Sequence, residues 1–214
     1  FIKVFVPGPF FEPLTYSSDK PIEAGLRVKA PLGSREIVGI SAGEASEPQD
    51  LSTIKSILEV LDDAPVIDPS HHALIRFASD YYLAPAGDLL LSSLPTAIRK
   101  GKPFPLAKTE QGQSQPPHYP LTDEQQHAID CVNQASGDFQ CFLLQGVTGS
   151  GKTQVFSELI RKTLERGKQV LLLVPEIGLT GQMVTRIQQQ LTGTLAVSHS
   201  GLADGARAKA FVAA

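Results

Sequence analysis

The sequence predicts an α/β protein in two unlike parts: a small β-rich N-terminal domain with helices, then part of a parallel sheet built on a phosphate-binding loop. Three observations carry that reading. Residues 1 to about 60 are rich in Val, Ile, Gly and Pro, with short apolar runs between close turn signals. Residues 100–120 hold five prolines and two glycines among several Gln, Thr and Ser, the composition of a linker. Beyond them, short apolar runs alternate with segments of helical periodicity, the pattern of a parallel sheet with helices on both faces. The expected division is therefore 1–105, a linker at 106–120, and 121–214.

Ile2-Lys3-Val4-Phe5-Val6, Leu14-Thr15-Tyr16, Leu26-Arg27-Val28-Lys29 and Ile37-Val38-Gly39-Ile40 are each the size of a short strand. Pro7-Gly8, Pro31-Leu32-Gly33 and Ser41-Ala42-Gly43 punctuate them. Ile54 to Leu61 reads as a further strand with Ile54, Ser56, Leu58 and Val60 on one side. That pattern suggests a small barrel or sandwich. A helix follows through His71 to Leu83, capped by Asp68 or Ser70 and ended by Pro85. Ala86 to Leu94 makes a second, shorter one. His71-His72 has the look of a ligand pair, but neighbours on a helix point apart, so a solvated first turn is expected.

The second half opens with a helix from Thr122, where Thr122 and Gln125 have capping-box spacing. Cys141-Phe142-Leu143-Leu144 is a strand-type run, and Gly146-Val147-Thr148-Gly149-Ser150-Gly151-Lys152-Thr153 fits G-x-x-x-x-G-K-[ST]. Gln154 to Arg166 then places Val155, Phe156, Leu159, Ile160 and Leu164 on one helical face. Strand, loop and helix in this order suit the chemistry. Glycines let successive N–H groups turn towards a polyphosphate, and the helix N-terminus adds its positive end. Lys152 can reach the terminal phosphates of ATP, and the Thr153 hydroxyl can ligate Mg²⁺; these two are the candidate catalytic residues. Gly146 to Thr153 are the candidate nucleotide contacts, joined by Gln125, whose amide offers a donor and an acceptor to an adenine edge. Gln169 to Val174 is a second apolar strand, Leu179 to Leu191 a helix, Leu195 to His199 a third strand, and Gly205 to Ala214 another helix. Pro175-Glu176-Ile177-Gly178-Leu179-Thr180 follows the second strand, at the edge of the sheet where ligands sit.

A hydrophobic content of 42% and a charged content of 19% describe an ordinary globular chain, and no apolar run approaches the length of a membrane span. No secretion signal opens the chain, and it begins at Phe1, so one or more preceding residues are expected. Cys131 and Cys141 lack metal-ligand spacing; Cys141 is expected to be a buried, reduced thiol, and no disulfide is expected in a reducing cytoplasm. Net charge is −3, and residues 1–105 alone carry ten Lys/Arg against thirteen Asp/Glu, also −3. With no basic run, any nucleic-acid contact should be local, not the work of a broad positive field.

The order LTDEQQ, GVTGSGKT, LLLVPEIGLT and SHSGL resembles the superfamily 2 helicase core of the PriA family, the bacterial primosomal replication-restart DNA helicases (primosomal protein N′). In the first half, PLTYSSD, VKAPLGSREIVGI, IKSILEVLDDAPV and ASDYYLAPAGDLLLSSLP resemble that family's 3′ DNA-end-binding domain. The resemblance implies a RecA-like helicase lobe, ATP and Mg²⁺ as cofactors, and a cytoplasmic location. It implies forked DNA with a 3′ end, other primosomal proteins and single-stranded-DNA-binding protein as partners. A terminal nucleobase would sit in a pocket matching Leu14, Thr15, Tyr16, Gly33 and Lys55, and Thr180 would lie in a DNA-contacting segment. Some family members have Asp where this chain has Thr15, and a hydroxyl reads a base edge less strongly than a carboxylate.

Two departures stand out. The linker replaces the family's winged-helix domain, and the chain stops before the DEEH-type carboxylate motif, the second lobe and the zinc-binding insertion. Zinc is thus expected only in that missing part of a longer parent, and this chain is expected to be an incomplete, inactive fragment. One rival is a DNA-end adaptor with a non-hydrolytic nucleotide loop. Another is a small phosphate-loop kinase, for which no acceptor pocket or lid is evident.

Overall fold

The structure is a computed structural model and describes residues 1–103, 111–112, 120–135, 137, 139–174, 184–185 and 193–213. Two compact units emerge: Phe1–Ala107 with Leu202–Val212, and Lys108–Gly201 with Ala213–Ala214. The helix at Leu202–Val212, read from sequence as part of the second half, thus belongs to the first unit.

The first unit is built on five antiparallel strands: β1 (Ile2–Phe5), β2 (Leu14–Tyr16), β3 (Arg27–Leu32), β4 (Arg35–Glu44) and β5 (Glu59–Val60). Their order is β2-β1-β4-β3-β5. The two ends of this sheet meet. Ser17, just past β2, bridges Ser56, and its amide donates to the Lys55 carbonyl at 3.0 Å while Ile57 donates back to Ser17 at 3.0 Å. On its other side the same segment bonds to β3, Leu58 N–H donating to the Lys29 carbonyl at 2.9 Å. Of the strand expected over Ile54 to Leu61, only Glu59–Val60 form a ladder; the remainder is the seam that closes the barrel. The β3–β4 hairpin turns on Gly33, whose φ of +61° suits the first central position of a two-residue loop.

Period-2 alternation sorts the barrel's side chains. Ile2, Val4, Val6, Tyr16, Val28 and Ala30 are buried together inside. Phe5 and Ile40 face outward and are covered by α1 (Pro69–Tyr82), α2 (Ala86–Ser93), α3 (Thr96–Arg99) and α6 (Asp204–Ala213), through Ile75, Leu90, Leu94, Ile98 and Ala208. Asp68 caps α1 by accepting from His71 N–H at 2.7 Å, and α1 ends where Leu83 turns left-handed ahead of Pro85. α2 presses so closely on β1 that a Cβ at Gly87 would collide with the Val6 carbonyl.

Arg27 ties barrel to helices. Its guanidinium holds Asp62 at 2.8 and 2.6 Å and donates to the carbonyls of Ile98 and Lys102 at 2.8 Å each. The side chains are 1% and 7% exposed. The expected solvated first turn of α1 is observed only in part. His71 Nε2 meets Ser93 Oγ at 2.8 Å, and His72 lies 5.7 Å from Phe5 with its Nε2 buried and no hydrogen-bond partner among the described residues. Pro69 and Ser70 do face solvent as expected, and the departure is confined to the two half-buried histidines, which turn towards α2 and β1.

The second unit differs from expectation. α4 (Asp123–Gln134) and α5 (Lys152–Glu165) form as read, with Arg161 on α5 paired to Glu158 and Glu165. Cys141–Leu144, Gln169–Val174 and Leu195–His199, expected as parallel strands, have no strand partner among the described residues. A buried parallel strand needs neighbours and a layer on each face. Leu143, Leu171 and Leu173 are 90%, 83% and 80% exposed, so among the described residues no layer covers these runs. For the same reason Cys141 is exposed, not buried; both cysteines are free thiols. Gln111–Gly112 (β6), inside the expected linker, pairs antiparallel with Gly193–Thr194 (β7). The helix expected over Leu179 to Leu191 falls almost wholly outside the described residues.

Asp62→Ala leaves the Arg27 charge buried and unpaired, and should cost about 3–5 kcal/mol of stability. Urea unfolding of the 214-residue chain followed by far-UV circular dichroism measures it; a loss under about 1 kcal/mol contradicts the buried-pair account. His72 supplies a second expectation. Burial first, and then the neighbouring His71, lowers its pKa below the ordinary value, with Arg76 adding to this and Asp68 opposing it. The unfolded chain therefore takes up the proton more readily, and stability should fall as pH drops through about 6.5 and below. His72→Phe should flatten that part of the stability–pH curve, and an unchanged curve counts against it.

Candidate nucleotide and DNA-end sites

The loop Gly146–Gly151 runs into α5, and its form is set by glycines. Gly149 and Gly151 adopt φ of +83° and +81°, a region open to Gly at little cost. Gly151 is the N-cap of α5, so the first-turn amides of a 14-residue helix face the loop. Lys152 folds its ammonium back into the loop, donating to the carbonyls of Gly146 at 2.6 Å and Val147 at 2.8 Å. A cation already sits inside the turn, beside glycine backbone, which is what a polyphosphate requires. These residues could hold ATP: the amides of the loop other than Ser150, whose N–H already donates to the Val147 carbonyl at 3.2 Å, and those at the start of α5 would be donors, Lys152 would supply charge, and Thr153 would offer a hydroxyl to Mg²⁺.

Gln125 joins this loop. It closes the capping box of α4, its Oε1 accepting from Thr122 N–H at 3.0 Å and its own N–H donating to Thr122 Oγ1 at 3.3 Å. Its Nε2 then donates to the Ser150 carbonyl at 3.1 Å. One amide hydrogen and one lone pair remain, the donor–acceptor pair an adenine edge needs. A Cβ on Gly151 would run into that amide. Sequence spacing placed Gln125 near the loop; its direct bond to Ser150 was not legible.

In the first unit, Tyr16, Gly33 and Lys55 come together at the seam of the barrel. Lys55 Nζ donates to the Gly33 carbonyl at 2.8 Å, and Tyr16 Oη donates to the Pro31 carbonyl at 3.1 Å. Gly33 and Lys55 are exposed. Tyr16 is not: it is 3% exposed, and burial raises its pKa. Leu14 packs on the same core, while alternation turns Thr15 to the opposite face of β2. Thr180 lies outside the described residues. One signal escaped the sequence reading: Arg99, Lys100 and Lys102 are a compact basic cluster, hidden by the overall charge of −3.

The geometry can be set beside known proteins. Residues 3–95 match the 3′DNA-binding domain (3′BD) of the PriA type, and residues 122–211 match the DEAD/DEAH box helicase domain. Those matches define the class, a DNA-end-binding domain followed by a helicase nucleotide domain. The replication restart protein PriA of Treponema pallidum is 36% identical over 188 residues, covering 86% of this chain and 28% of that protein. That of Bacillus subtilis is 48% identical over 88 residues, 40% of this chain and 11% of its own length. That of Haemophilus influenzae is 26% identical over 283 residues, 96% of this chain and 38% of its own. With both segments in this order, the chain is similar to the PriA replication restart proteins, and it spans 28% to 38% of the length of the Treponema and Haemophilus proteins.

Gly151→Ala places a side chain at positive φ and displaces the Gln125 amide, whereas Gly149→Ala meets open space at nearly the same φ. Strain alone costs about 1–2 kcal/mol in either variant. Gly151→Ala should therefore weaken binding of a fluorescent ATP analogue by about tenfold more than Gly149→Ala does. Equal losses in the two variants contradict the Gln125 contact.

Proposed function

We propose that this chain belongs to an ATP-dependent 3′→5′ DNA helicase of replication restart, which recognises stalled forks through the nascent-strand 3′ end and initiates primosome assembly. The observation that carries the reading is the pairing of a DNA 3′-end domain match with a phosphate loop whose lysine, glycines and partner glutamine are assembled around one turn. In this reading residues 1–105 bind the DNA end, 106–120 link, and 121–214 are part of a RecA-like first helicase lobe with a parallel sheet. The apolar runs Cys141–Leu144 and Gln169–Val174 support that sheet by composition. Other primosomal proteins and single-stranded-DNA-binding protein are the partners, and the cytoplasm the location.

The loop's amides and Lys152 hold the phosphates, and Thr153 shares the Mg²⁺ that ATP brings, which when bound neutralises charge on the transferred phosphoryl group. Gln125 selects the adenine edge while fixing Ser150. Among the described residues no group of three His, Cys, Asp or Glu side chains could hold a metal ion. At the DNA end, Gly33 would let a nucleotide approach the backbone and Lys55 would meet a phosphate, beside Leu14 and Thr15, with the buried Tyr16 as the floor of the pocket; Thr180 would contact DNA separately, in the segment that follows the phosphate-loop unit.

The 214-residue polypeptide should bind ATP weakly and show no turnover above background, with or without forked DNA. DNA-stimulated hydrolysis in a coupled assay contradicts this. Its DNA binding should prefer a free 3′-hydroxyl to a 3′-phosphate, because the extra dianion demands desolvation and room. Equal affinity for the two ends, measured by fluorescence anisotropy, sinks the end-binding reading.

A further inference from the structure

The turn that follows α3 carries charge that neither proposed site uses. Arg99, Lys100 and Lys102 occupy three of four consecutive positions and all are exposed. The backbone beneath them is fixed. Lys100, Gly101 and Lys102 donate to the carbonyls of Thr96, Ile98 and Ala97 at 3.1, 3.0 and 3.1 Å, and Gly101 takes a φ of +72°. Arg27 grips the same turn from the interior through the carbonyls of Ile98 and Lys102. Three flexible cations thus stand on a rigid base.

α6, part of the same unit, adds to the cluster. Asp204 pairs with Arg207 at 2.5 Å, and its carboxyl is held below the ordinary range first by that hydrogen bond and further by the fields of Arg207, Lys100 and Lys102. Four cations (Arg99, Lys100, Lys102 and Arg207) against one carboxylate, Asp204, leave a local balance of +3, although residues 1–105, which hold three of the four, sum to −3. Among the described residues Arg99, Lys100 and Lys102 form no ion pair; Arg99 reaches only the Thr96 hydroxyl, at 3.2 Å. Cations needed for folding would be paired or buried, as Arg27 is. These are concentrated at the cost of mutual repulsion, which a polyanion relieves.

We infer that the turn at 99–102, with Arg207, is a docking surface for the sugar-phosphate backbone of DNA. Lysine ammoniums are adaptable point charges, suited to phosphates and not to reading bases. The surface supplies affinity that is independent of both sequence and strand end, complementing the end-specific contacts at Gly33 and Lys55. The inference rests on the reading of this chain as DNA-binding, but the two fail separately.

The test uses the full 214-residue chain and a fluorescein-labelled duplex with a recessed 3′ end, titrated at several salt concentrations. Removing one cation that meets a phosphate should reduce the slope of log K against log salt by about 0.9. Lys100→Gln/Lys102→Gln should therefore reduce it by nearly two and weaken binding about tenfold or more at low salt, equally for 3′-hydroxyl and 3′-phosphate ends. Lys20→Gln, an exposed cation elsewhere, should change neither. An unchanged slope in a folded double variant overturns the inference. Should that variant not fold, Arg99→Gln alone must reduce the slope by about one, and an unchanged slope again overturns it. A reduced slope without any end preference in the unsubstituted chain sinks the end-binding reading alone; no DNA binding by the unsubstituted chain sinks both.

Discussion

A single buried guanidinium holds the first unit together. Arg27 starts β3 inside the structure, where a charge is costly unless it is both paired and hydrogen-bonded. Asp62 supplies the pair, two backbone carbonyls complete the donors, and each partner comes from a different part of the chain. Asp62, two residues past β5, the end of α3 and the turn beyond it are thereby fixed relative to the barrel. Swapping the pair for apolar side chains could match it in stability, but it would not dictate where those three segments lie. The basic turn at 99–102 depends on that placement.

A different constraint shapes the second unit. Backbone at positive φ lets the loop curl so that its carbonyls meet the Lys152 ammonium. Gln125 then ties the start of α4 to the loop through Ser150. The same amide closes a helix cap, so a change in the loop is transmitted to α4 through one side chain. In the proposed role, an arriving phosphate would have to replace the two carbonyls as the partners of Lys152.

Much of this was legible in the sequence because it is local. Alternation of Ile2, Val4 and Val6, the Asp68 cap, the Thr122–Gln125 box and the phosphate loop are all written within a few residues. What escaped depends on distant partners. Arg27 reads as an ordinary strand residue until Asp62, Ile98 and Lys102 surround it. His72 reads as solvated until it turns towards Phe5 on β1. Cys141–Leu144 and Gln169–Val174 have strand composition, but a ladder needs neighbours that composition cannot supply, and Leu143 and Leu171 lie open. The cluster at Arg99, Lys100 and Lys102 was missed for another reason: a net charge of −3 averages it away, whereas a phosphate meets only the nearest few charges.

The central claim is that the barrel seam receives the 3′-terminal nucleotide. The direct measurement is photo-crosslinking of the 214-residue chain to a forked DNA carrying a photoreactive base at its 3′ terminus, followed by peptide mapping. The account predicts crosslinks within residues 14–17, 33–35 and 55–57, which disappear when the base is moved several nucleotides inward. Crosslinks confined to the second unit, or indifferent to the position of the base, would contradict it.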